Sequence, residues 1–151
     1  MKKWIQHFIS SAEASVLFVL KNEESLYLCV DYRDLNKITI KNCHSLLLIS
    51  ETLNWLSEVK MFIKLDLKNA YHCIRIKKDN EWKTAFYTCY SHFKYMIMSF
   101  KLINASATFQ VYINWVLTEL VNVFCVIYLN NILIYFSSLE EYQSHVKQIL
   151  K

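Results

Sequence analysis

The sequence predicts an α+β fold with an antiparallel sheet. Two observations carry this prediction: short β-type runs follow one another in adjacent pairs, and longer segments show the spacing of amphipathic helices. The chain has 151 residues, of which 54% are hydrophobic and 20% charged, so it can bury a core and does not have a disordered composition. Its net charge of +4 permits nucleic-acid binding without arguing for it.

Two pairs of β-type runs predict hairpins. Residues 15–20 and 26–32 are apolar runs separated by a short polar stretch, which indicates a hairpin with poor turn residues. Residues 123–129 and 132–136 are separated by two asparagines alone. Because asparagine tolerates the positive φ of a two-residue turn, we expect a tight hairpin there.

Single strands and helices fill the rest of the chain. Residues 61–67 have the composition of a buried strand, and this strand carries Asp66. Residues 83–88 and 93–98 are further strand candidates.

Helical spacing predicts three helices. Residues 48–58 repeat apolar side chains at helical spacing, residues 105–120 form the strongest candidate, and residues 139–150 close the chain as a polar helix. We expect one face of the second helix to be formed by Ala107, Val111, Asn114 and Leu117.

The chain contains no glycine and no proline, and its arginines are Arg33 and Arg75. Average proteins contain about 7% glycine and about 5% proline. Glycine is the default residue at positive φ and proline fixes φ at corners, so this chain lacks the usual turn formers. We therefore expect strained turns and a marginal fold.

The cysteines point to a reducing compartment. They form no CxxC pair and number five, which predicts free, mostly buried thiols: Cys29, Cys43, Cys73, Cys89 and Cys125. No signal peptide is visible, and the most apolar stretch, residues 123–136, is too short to span a bilayer as a helix. We expect an intracellular protein, cytoplasmic or nuclear, with no membrane partner.

Asp66 is the notable charge, because it lies inside an apolar strand between Leu65 and Leu67. A buried carboxylate must be paired, hydrogen-bonded or metal-bound, whereas an outward-facing aspartate at a strand end needs no partner. Both readings are open from spacing alone. On the same grounds, the hairpin around Asn130 and Asn131 is typical of an ordinary core hairpin. The spacing of apolar residues alone does not link this hairpin to Asp66.

A set of ordered motifs links these places. They are VDYRDLN at 30–36 with KITIKN at 37–42, KLDLKNAYHCIRI at 64–76, EWKTAF at 81–86, MSFKLINASATFQ at 98–110 and YLNNILIY at 128–135. In identity, order and spacing they resemble the reverse transcriptases of gypsy-type LTR retrotransposons. That family writes the last two motifs as MPFGLTNAPATFQ and YLDDILIY.

The resemblance implies roles at single positions. Asp66 matches the first metal-binding aspartate, and Asn130 and Asn131 stand where the family has its paired catalytic aspartates. Arg33 matches a fingers arginine that contacts the incoming triphosphate, and Tyr71 matches the aromatic residue that excludes a 2′-hydroxyl.

The remaining implied nucleotide-binding positions lie in two motifs. Lys68 and Asn69 sit where backbone amides meet the triphosphate. Phe100 and Lys101 fall in the segment that faces the nucleotide, and Gln110 lies in the helix behind it.

The resemblance also implies an architecture and partners. It predicts a fingers–palm fragment of a right-hand polymerase as one domain over 1–151, whose antiparallel palm sheet packs against helices. A fingers-side segment covers about 8–60, and palm motifs with inserted fingers strands cover about 61–151. The family continues into primer grip, thumb and RNase H, so we expect a truncated copy with the thumb absent. The implied partners are an RNA or DNA template-primer and a dNTP, and the implied cofactor is a pair of Mg²⁺ ions.

The departures from the family predict an inactive copy. Mg²⁺ prefers anionic oxygen ligands in strict geometry, and asparagine offers one neutral oxygen. A unit charge pair at 4 Å is worth about 4 kcal/mol at an effective dielectric of 20, and each 1.4 kcal/mol is about tenfold in rate. Two lost charges therefore predict a loss of many orders of magnitude and argue against Mg²⁺ binding here.

Other departures run in the same direction. Family glycine, proline and threonine positions in one motif hold Ser99, Lys101, Ile103 and Ser106. Such changes, and the two asparagines, arise by C-to-T or G-to-A transitions, which would also deplete glycine, proline and arginine codons. The sequence thus favours a degenerate retroelement copy.

The sequence leaves three candidate functions. The first is a reverse-transcriptase remnant without activity. The second is a non-catalytic nucleic-acid-binding fragment, which Lys83, Lys94, Lys101 and the aromatic residues would support. The third is an active RNA-directed DNA polymerase, which the Asn pair argues against.

Overall fold

A computed structural model describes residues 4–21, 25–43 and 61–150, and these ranges contain eight strands, three helices and two 3₁₀ turns. The strands are β1 (Ile5–His7), β2 (Val16–Lys21), β3 (Ser25–Val30), β4 (Met61–Asp66), β5 (Phe86–Tyr87), β6 (His92–Tyr95), β7 (Cys125–Tyr128) and β8 (Asn131–Phe136). The helices are α1 (Arg33–Ile38), α2 (Ala105–Val116) and α3 (Leu139–Ile149), with 3₁₀ turns at Ala70–Cys73 and Glu81–Thr84. The strands form antiparallel sheets in the orders β1-β6-β5, β2-β3 and β4-β8-β7.

The chain divides into two compact units. The first unit comprises Met1–Lys41 and Tyr71–Ala105. Its core is a buried cluster of Val30, Tyr32 and Phe86. The Tyr32 hydroxyl donates to the Thr84 carbonyl at 3.0 Å, which satisfies the polar end of this buried side chain.

The second unit comprises Asn42–Ala70 and Ser106–Lys151. It contains the β4-β8-β7 sheet, where β8 is the central strand and alternates buried and half-buried residues. Ile132 and Ile134 of β8 are almost fully buried, as is Phe109 of α2. This alternation is the pattern of a strand with one face on a core.

Several predicted elements are confirmed. Both predicted hairpins exist, as β2-β3 and β7-β8, and the predicted 61–67 and 93–98 strands correspond to β4 and β6. The closing polar helix is α3; Ser138 caps its start by accepting a hydrogen bond from the Glu141 amide at 3.3 Å. The helix predicted over residues 48–58 lies outside the described residues.

Two predicted elements differ from the structure. The strand predicted over 83–88 begins instead as the 3₁₀ turn Glu81–Thr84, because the Thr84 hydroxyl bonds back to the Glu81 carbonyl at 2.7 Å. In β4, Met61 and Phe62 are exposed, so the prediction of a buried strand is wrong. Phe62, Lys64 and Asp66 share one face of the strand and are exposed, while Ile63 and Leu65 on the other face are half-buried.

The helix predicted over 105–120 is present but shorter, because it ends at Val116. On the face predicted to carry Ala107, Val111, Asn114 and Leu117, the first and the last are buried, whereas Val111 is 42% exposed. The buried stripe runs through Phe109, Ile113 and Leu117, which lie four residues apart.

The cysteines are not disulfide-bonded in the described residues, and the prediction that most are buried is wrong. Cys43, Cys73 and Cys89 are exposed, Cys29 is half-buried, and Cys125 is buried. Within the described part of the chain, no helix has the length and apolar character to cross a membrane.

Turns without glycine are made mostly by asparagine and aspartate. Of the described residues, four have positive φ: Asn69 (57°), Asp79 (69°), Asn122 (64°) and Leu129 (55°). Asparagine and aspartate tolerate this region because their short side chains bond locally. Leucine has no polar side chain that could bond locally, so the positive φ of Leu129 must be stabilised by contacts from another part of the chain.

Candidate active site

The β7-β8 hairpin carries the YLNN motif, and its turn differs from the predicted one. Tyr128 pairs with Asn131 as the last rung of the ladder, so the two turn residues are Leu129 and Asn130. The sequence prediction placed Asn130 and Asn131 in the turn and the positive φ on asparagine. Instead Asn131 begins β8 and the positive φ falls on Leu129. The register of the apolar strand residues decides this, since a shift by one residue would reverse the faces of β8.

Gln110 supports this turn from α2. Its side chain is only 1% exposed. The Gln110 carboxamide oxygen accepts from the Leu129 amide at 2.8 Å, and its nitrogen donates to the Ile127 carbonyl at 3.1 Å and to Asn114 Oδ1 at 3.0 Å. Gln110 is therefore a positioning residue for the hairpin in this structure, while its nucleotide contact stays a prediction.

Asp66 is the last residue of β4 and is exposed. Its Cα pairs with that of Asn131 at the end of the β4-β8 ladder. The Leu67 amide donates to the Asn130 carbonyl at 2.8 Å and extends this contact by one residue. Sheet pairing thus brings together the three positions that the motif resemblance assigned to one catalytic site.

Asn130 bonds directly to Asp66. The Asn130 amide nitrogen donates to Asp66 Oδ1 at 2.9 Å. The nitrogen faces the carboxylate because an amide oxygen in its place would be repelled. In this contact the asparagine supplies a donor, whereas an aspartate would supply a second negative charge.

Asn131 contributes no charge to this site either. Its Oδ1 atom is buried without a hydrogen-bond partner in the structure. An unpaired buried acceptor is uncommon, because leaving its hydrogen bond unformed costs about 1–3 kcal/mol. In the described ranges, no group of three or more His, Cys, Asp or Glu side chains is placed to hold a metal ion.

Two predicted phosphate-facing residues follow Asp66. Lys68 and Asn69 are exposed in the turn after β4, and Asn69 adopts a φ of 57°. Tyr71 lies in the 3₁₀ turn Ala70–Cys73 and belongs to the first unit.

Arg33 opens α1 in the first unit and is held by Asp31. Its Nε lies 3.0 Å from both Asp31 oxygens, and its Nη2 lies 2.6 Å from Asp31 Oδ2. The side-chain hydrogen bonds from Arg33 lower the pKa of the Asp31 carboxyl, and the same contact raises the pKa of Arg33. The Arg33 side chain is nevertheless 84% exposed, so a ligand can reach it.

A cleft in the first unit brings Arg33 and Lys101 together. It has a volume of about 400 Å³ and is also lined by Asn36, Asp31 and residues of β2 and β3. The Asn36 side chain donates to the Lys101 carbonyl at 2.9 Å and accepts from the Ile103 amide at 2.9 Å. Lys101 Nζ lies 5.0 Å from the centre of the Phe100 ring.

Sequence reasoning missed two of the residues that shape these sites. Asp31 and Asn36 both lie in the VDYRDLN motif, and their polar character beside the singled-out Arg33 was the available signal. The Asn36 contact could not be assigned without the fold, because Asn36 and Ile103 are 67 residues apart.

Comparison with known proteins gives the family. Residues 21–151 match the sequence family described as "Reverse transcriptase (RNA-dependent DNA polymerase)". The chain belongs to the reverse transcriptase family. Two polyproteins of Schizosaccharomyces pombe, Transposon Tf2-7 and Transposon Tf2-3, are 41% and 40% identical to this reverse transcriptase chain over 136 residues. Each alignment covers 90% of this chain and 10% of the polyprotein, so the chain spans a tenth of the length of these relatives.

Solved structures share the reverse transcriptase fold. A foamy viral protease-reverse transcriptase dRH in complex with double-stranded DNA superposes with a TM-score of 0.84 at 18% identity, over 98% of this chain and 26% of that one. A foamy viral protease-reverse transcriptase in complex with an RNA/DNA hybrid gives 0.83 at 18% identity, over 97% and 19%. The predicted fold class, an α+β fingers–palm fragment with antiparallel sheets, is confirmed.

Proposed function

We propose that this chain is a reverse transcriptase-like domain of retrotransposon origin that does not catalyse nucleotidyl transfer. The observation that carries the proposal is the hydrogen bond from Asn130 to Asp66. A polymerase of this type needs carboxylates that face one another across bound cations. Here one of the facing groups is an amide whose N–H atoms point at the remaining carboxylate.

The donor set does not fit the family's pair of Mg²⁺ ions. Asp66 is the one carboxylate among the three positions, and its Oδ1 is already engaged by Asn130. Mg²⁺ dehydrates reluctantly and takes carboxylate oxygens in octahedral geometry. A single exposed aspartate holds a divalent ion too weakly to organise a triphosphate.

The origin that we propose is a degenerate gypsy-type element. The motif resemblance and the similarity to the two transposon polyproteins support it. Transition mutations would explain the asparagines together with the absence of glycine and proline. Alignment of the coding DNA with intact elements tests this, since differences without an excess of C-to-T and G-to-A changes would overturn it.

We further assign the two compact units to the two expected regions. The first unit would be the fingers, including the strands inserted between palm motifs, and the second unit would be the palm. The assignment rests on where the motifs fall: Arg33 lies in the first unit, and Asp66, Asn130 and Asn131 lie in the second.

Primer extension tests the proposed inactivity. The chain is supplied with a template-primer, the four dNTPs and Mg²⁺, and we expect no extended product. The double variant Asn130→Asp/Asn131→Asp is assayed beside it, and extension by this variant alone would support the ancestry of the site. Extension by the unmodified chain that disappears in Asp66→Asn would overturn the proposal.

A second candidate function is nucleic-acid binding without chemistry. The cleft that holds both Arg33 and Lys101 favours it, because two cations on one concave surface suit a phosphate. Lys83, 5.7 Å from the centre of the Trp82 ring, adds a cation beside an exposed aromatic side chain. Lys94 does not contribute in the same way, since it is 13% exposed and paired with Glu81 at 3.0 Å.

Filter binding over a salt series tests this second function. We expect binding of a single-stranded oligonucleotide to weaken as salt rises. Lys101→Gln should reduce the salt slope by about one unit if Lys101 contacts phosphate. Lys147→Gln in α3 removes the same charge from an exposed position elsewhere and serves as the control. Equal slopes in the two variants would reject the cleft as the binding site.

A further inference from the structure

The side chain of Asn36 bridges two backbone groups that lie on either side of Leu102 in the sequence. Its Nδ2 atom donates to the Lys101 carbonyl at 2.9 Å, and its Oδ1 atom accepts from the Ile103 amide at 2.9 Å. A primary amide carries a donor and an acceptor at the end of a short side chain, which is what this double contact requires. Because Asn36 belongs to α1, the two bonds attach residues 99–104 to this helix.

Two further contacts hold the same segment, residues 99–104. The Asn104 side chain donates to the carbonyl of Ile40, which lies just past the end of α1, at 2.9 Å. Leu102 packs against the buried cluster of the first unit, as does Leu35 of α1. Directed hydrogen bonds and apolar packing together give the Lys101 backbone a defined position relative to α1.

Phe100 restrains the other end of the Lys101 side chain. Lys101 Nζ lies 5.0 Å from the centre of the Phe100 ring, and this ring centre lies 6.2 Å from that of Tyr27 in β3. A cation within about 6 Å of an aromatic centre is attracted by the negative face of the ring. Lys101 is therefore held at its backbone by Asn36 and at its ammonium group by Phe100. A side chain that is already restrained loses less freedom when it binds a ligand.

The cation at this position is a property of this chain. The family motif MPFGLTNAPATFQ has glycine where this chain has Lys101. Lys101 shares the cleft of about 400 Å³ with Arg33, and two cations on one concave surface suit a phosphate. The exposed rings of Phe100 and Tyr27 offer faces on which a base can stack. Single-stranded nucleic acid presents both a phosphate and an unpaired base.

We propose that Asn36 is a positioning residue, which holds Lys101 where it binds a phosphate of single-stranded nucleic acid beside Arg33. The inference rests on the second candidate function, nucleic-acid binding without chemistry. Asn36 is uncharged and acts through the lysine, so its removal changes the salt dependence of binding, to which a neutral side chain does not itself contribute. This distinguishes positioning from a direct contact between the Asn36 amide and the nucleic acid.

Filter binding of a single-stranded oligonucleotide over a salt series tests the proposal. A lysine that contacts a phosphate contributes about one unit to the slope of log K against log salt. Asn36→Ala should reduce the slope by as much as Lys101→Gln does and should weaken binding at low salt about threefold to tenfold. In the Lys101→Gln background, Asn36→Ala should leave the slope unchanged, because its effect passes through Lys101.

Thr39→Ala is the matched control for the integrity of α1. Thr39 is half-buried like Asn36, and its hydroxyl donates to the Leu35 carbonyl at 2.7 Å within the end of the same helix. Removing this bond perturbs α1 without removing a bond to residues 99–104, so the slope should not change. Circular dichroism verifies that each variant is folded. Asn36→Ser, whose hydroxyl ends one bond short of the amide, replaces Asn36→Ala if that variant unfolds.

Hydrogen exchange measures the positioning in the absence of any ligand. The Ile103 amide donates to Asn36, so it should exchange at least about tenfold faster in Asn36→Ala than in the unmodified chain. In Thr39→Ala the exchange of this amide should be unchanged. Equal protection of Ile103 in the unmodified chain and in Asn36→Ala would overturn the proposal.

The binding outcomes separate this proposal from the function on which it rests. Weaker binding by Asn36→Ala at an unchanged slope would overturn the proposal alone, because Asn36 would then contact the nucleic acid directly or support only the fold. An equal loss of slope in Thr39→Ala would also overturn the proposal alone. An unmodified chain that binds no oligonucleotide at any salt concentration would overturn the second candidate function and this inference with it.

Discussion

Gln110 holds the backbone of Leu129 in a left-handed conformation that leucine rarely adopts. The Gln110 oxygen accepts from the Leu129 amide at 2.8 Å, and Leu129 has a φ of 55°. A left-handed non-glycine residue costs about 1–2 kcal/mol. A buried side chain on α2 thus stabilises the strained turn that presents Asn130 to Asp66.

Replacing Gln110 should destabilise the second unit. Gln110→Met keeps the volume but leaves the Leu129 amide and the Ile127 carbonyl without their partner, which should lower the free energy of unfolding by about 2–4 kcal/mol. Urea unfolding followed by circular dichroism measures this. Gln148→Met is the control, because Gln148 is exposed on α3 and should change stability by less than about 0.5 kcal/mol. Similar losses in both variants would argue against the Gln110 contact.

The Glu81–Lys94 ion pair should matter more than the Asp34–Lys37 pair. Both partners of the first are 13% exposed, and Lys94 also lies 4.3 Å from the centre of the Phe8 ring. Lys94→Met leaves a half-buried carboxylate unpaired and should cost about 2 kcal/mol. Lys37→Met breaks a pair that is 74% and 95% exposed and should cost less than about 1 kcal/mol. Urea unfolding of both variants ranks them, and the reverse order would contradict this account.

Asp31 should compete with any phosphate that approaches Arg33. A phosphate can engage the Arg33 Nε and Nη2 atoms only by displacing the Asp31 carboxylate. Asp31→Asn should therefore bind a single-stranded oligonucleotide more tightly in filter binding at fixed salt. Asp34→Asn removes the same charge three residues further on, where Asp34 pairs with Lys37 and acts on Arg33 only by its charge. An equal gain in both variants would mean that net charge, and not the Arg33 contact, controls binding.

Burial of Cys125 should make stability depend on pH in the alkaline range. Desolvation raises the pKa of the Cys125 thiol from 9.0 to about 11. The folded state therefore keeps a proton that the unfolded state releases above pH 9.0, so the stabilisation is present below 9.0 and is lost as the pH rises through about 11. Urea unfolding across this window should show a steeper decline for the unmodified chain than for Cys125→Ala. Parallel declines would contradict the assignment.

Motif identity predicted more of the site than periodicity did. Asp66 and Asn130 are 64 residues apart and hydrogen-bond in the structure. The apolar patterns of their strands do not indicate that these two residues are close, whereas the family resemblance of the ordered motifs predicted it. The strands themselves followed from apolar composition, which is why both predicted hairpins were found.

The local errors come from contacts that a sequence window does not contain. The turn shifted to Leu129 because strand register and the distant Gln110 outweigh the preference of asparagine for positive φ. Helical spacing placed Val111 on one face with Ala107 and Leu117, but it could not show that Phe109 and Ile113 are buried while Val111 is exposed. The exposed face of β4, which carries Phe62, Lys64 and Asp66, depends on which elements cover the sheet, and the apolar composition of the strand does not contain that information.

Titration with Mn²⁺ tests the central claim most directly, because it measures the site without requiring catalysis. Electron paramagnetic resonance reports free Mn²⁺ for the unmodified chain, for Asn130→Asp/Asn131→Asp, and for that double variant with Asp66→Asn added. We predict that the double variant binds Mn²⁺ at least about tenfold more tightly than the unmodified chain, because three carboxylates then converge, and that the added change removes the gain. Equally tight binding by the unmodified chain, lost on Asp66→Asn, would contradict the account.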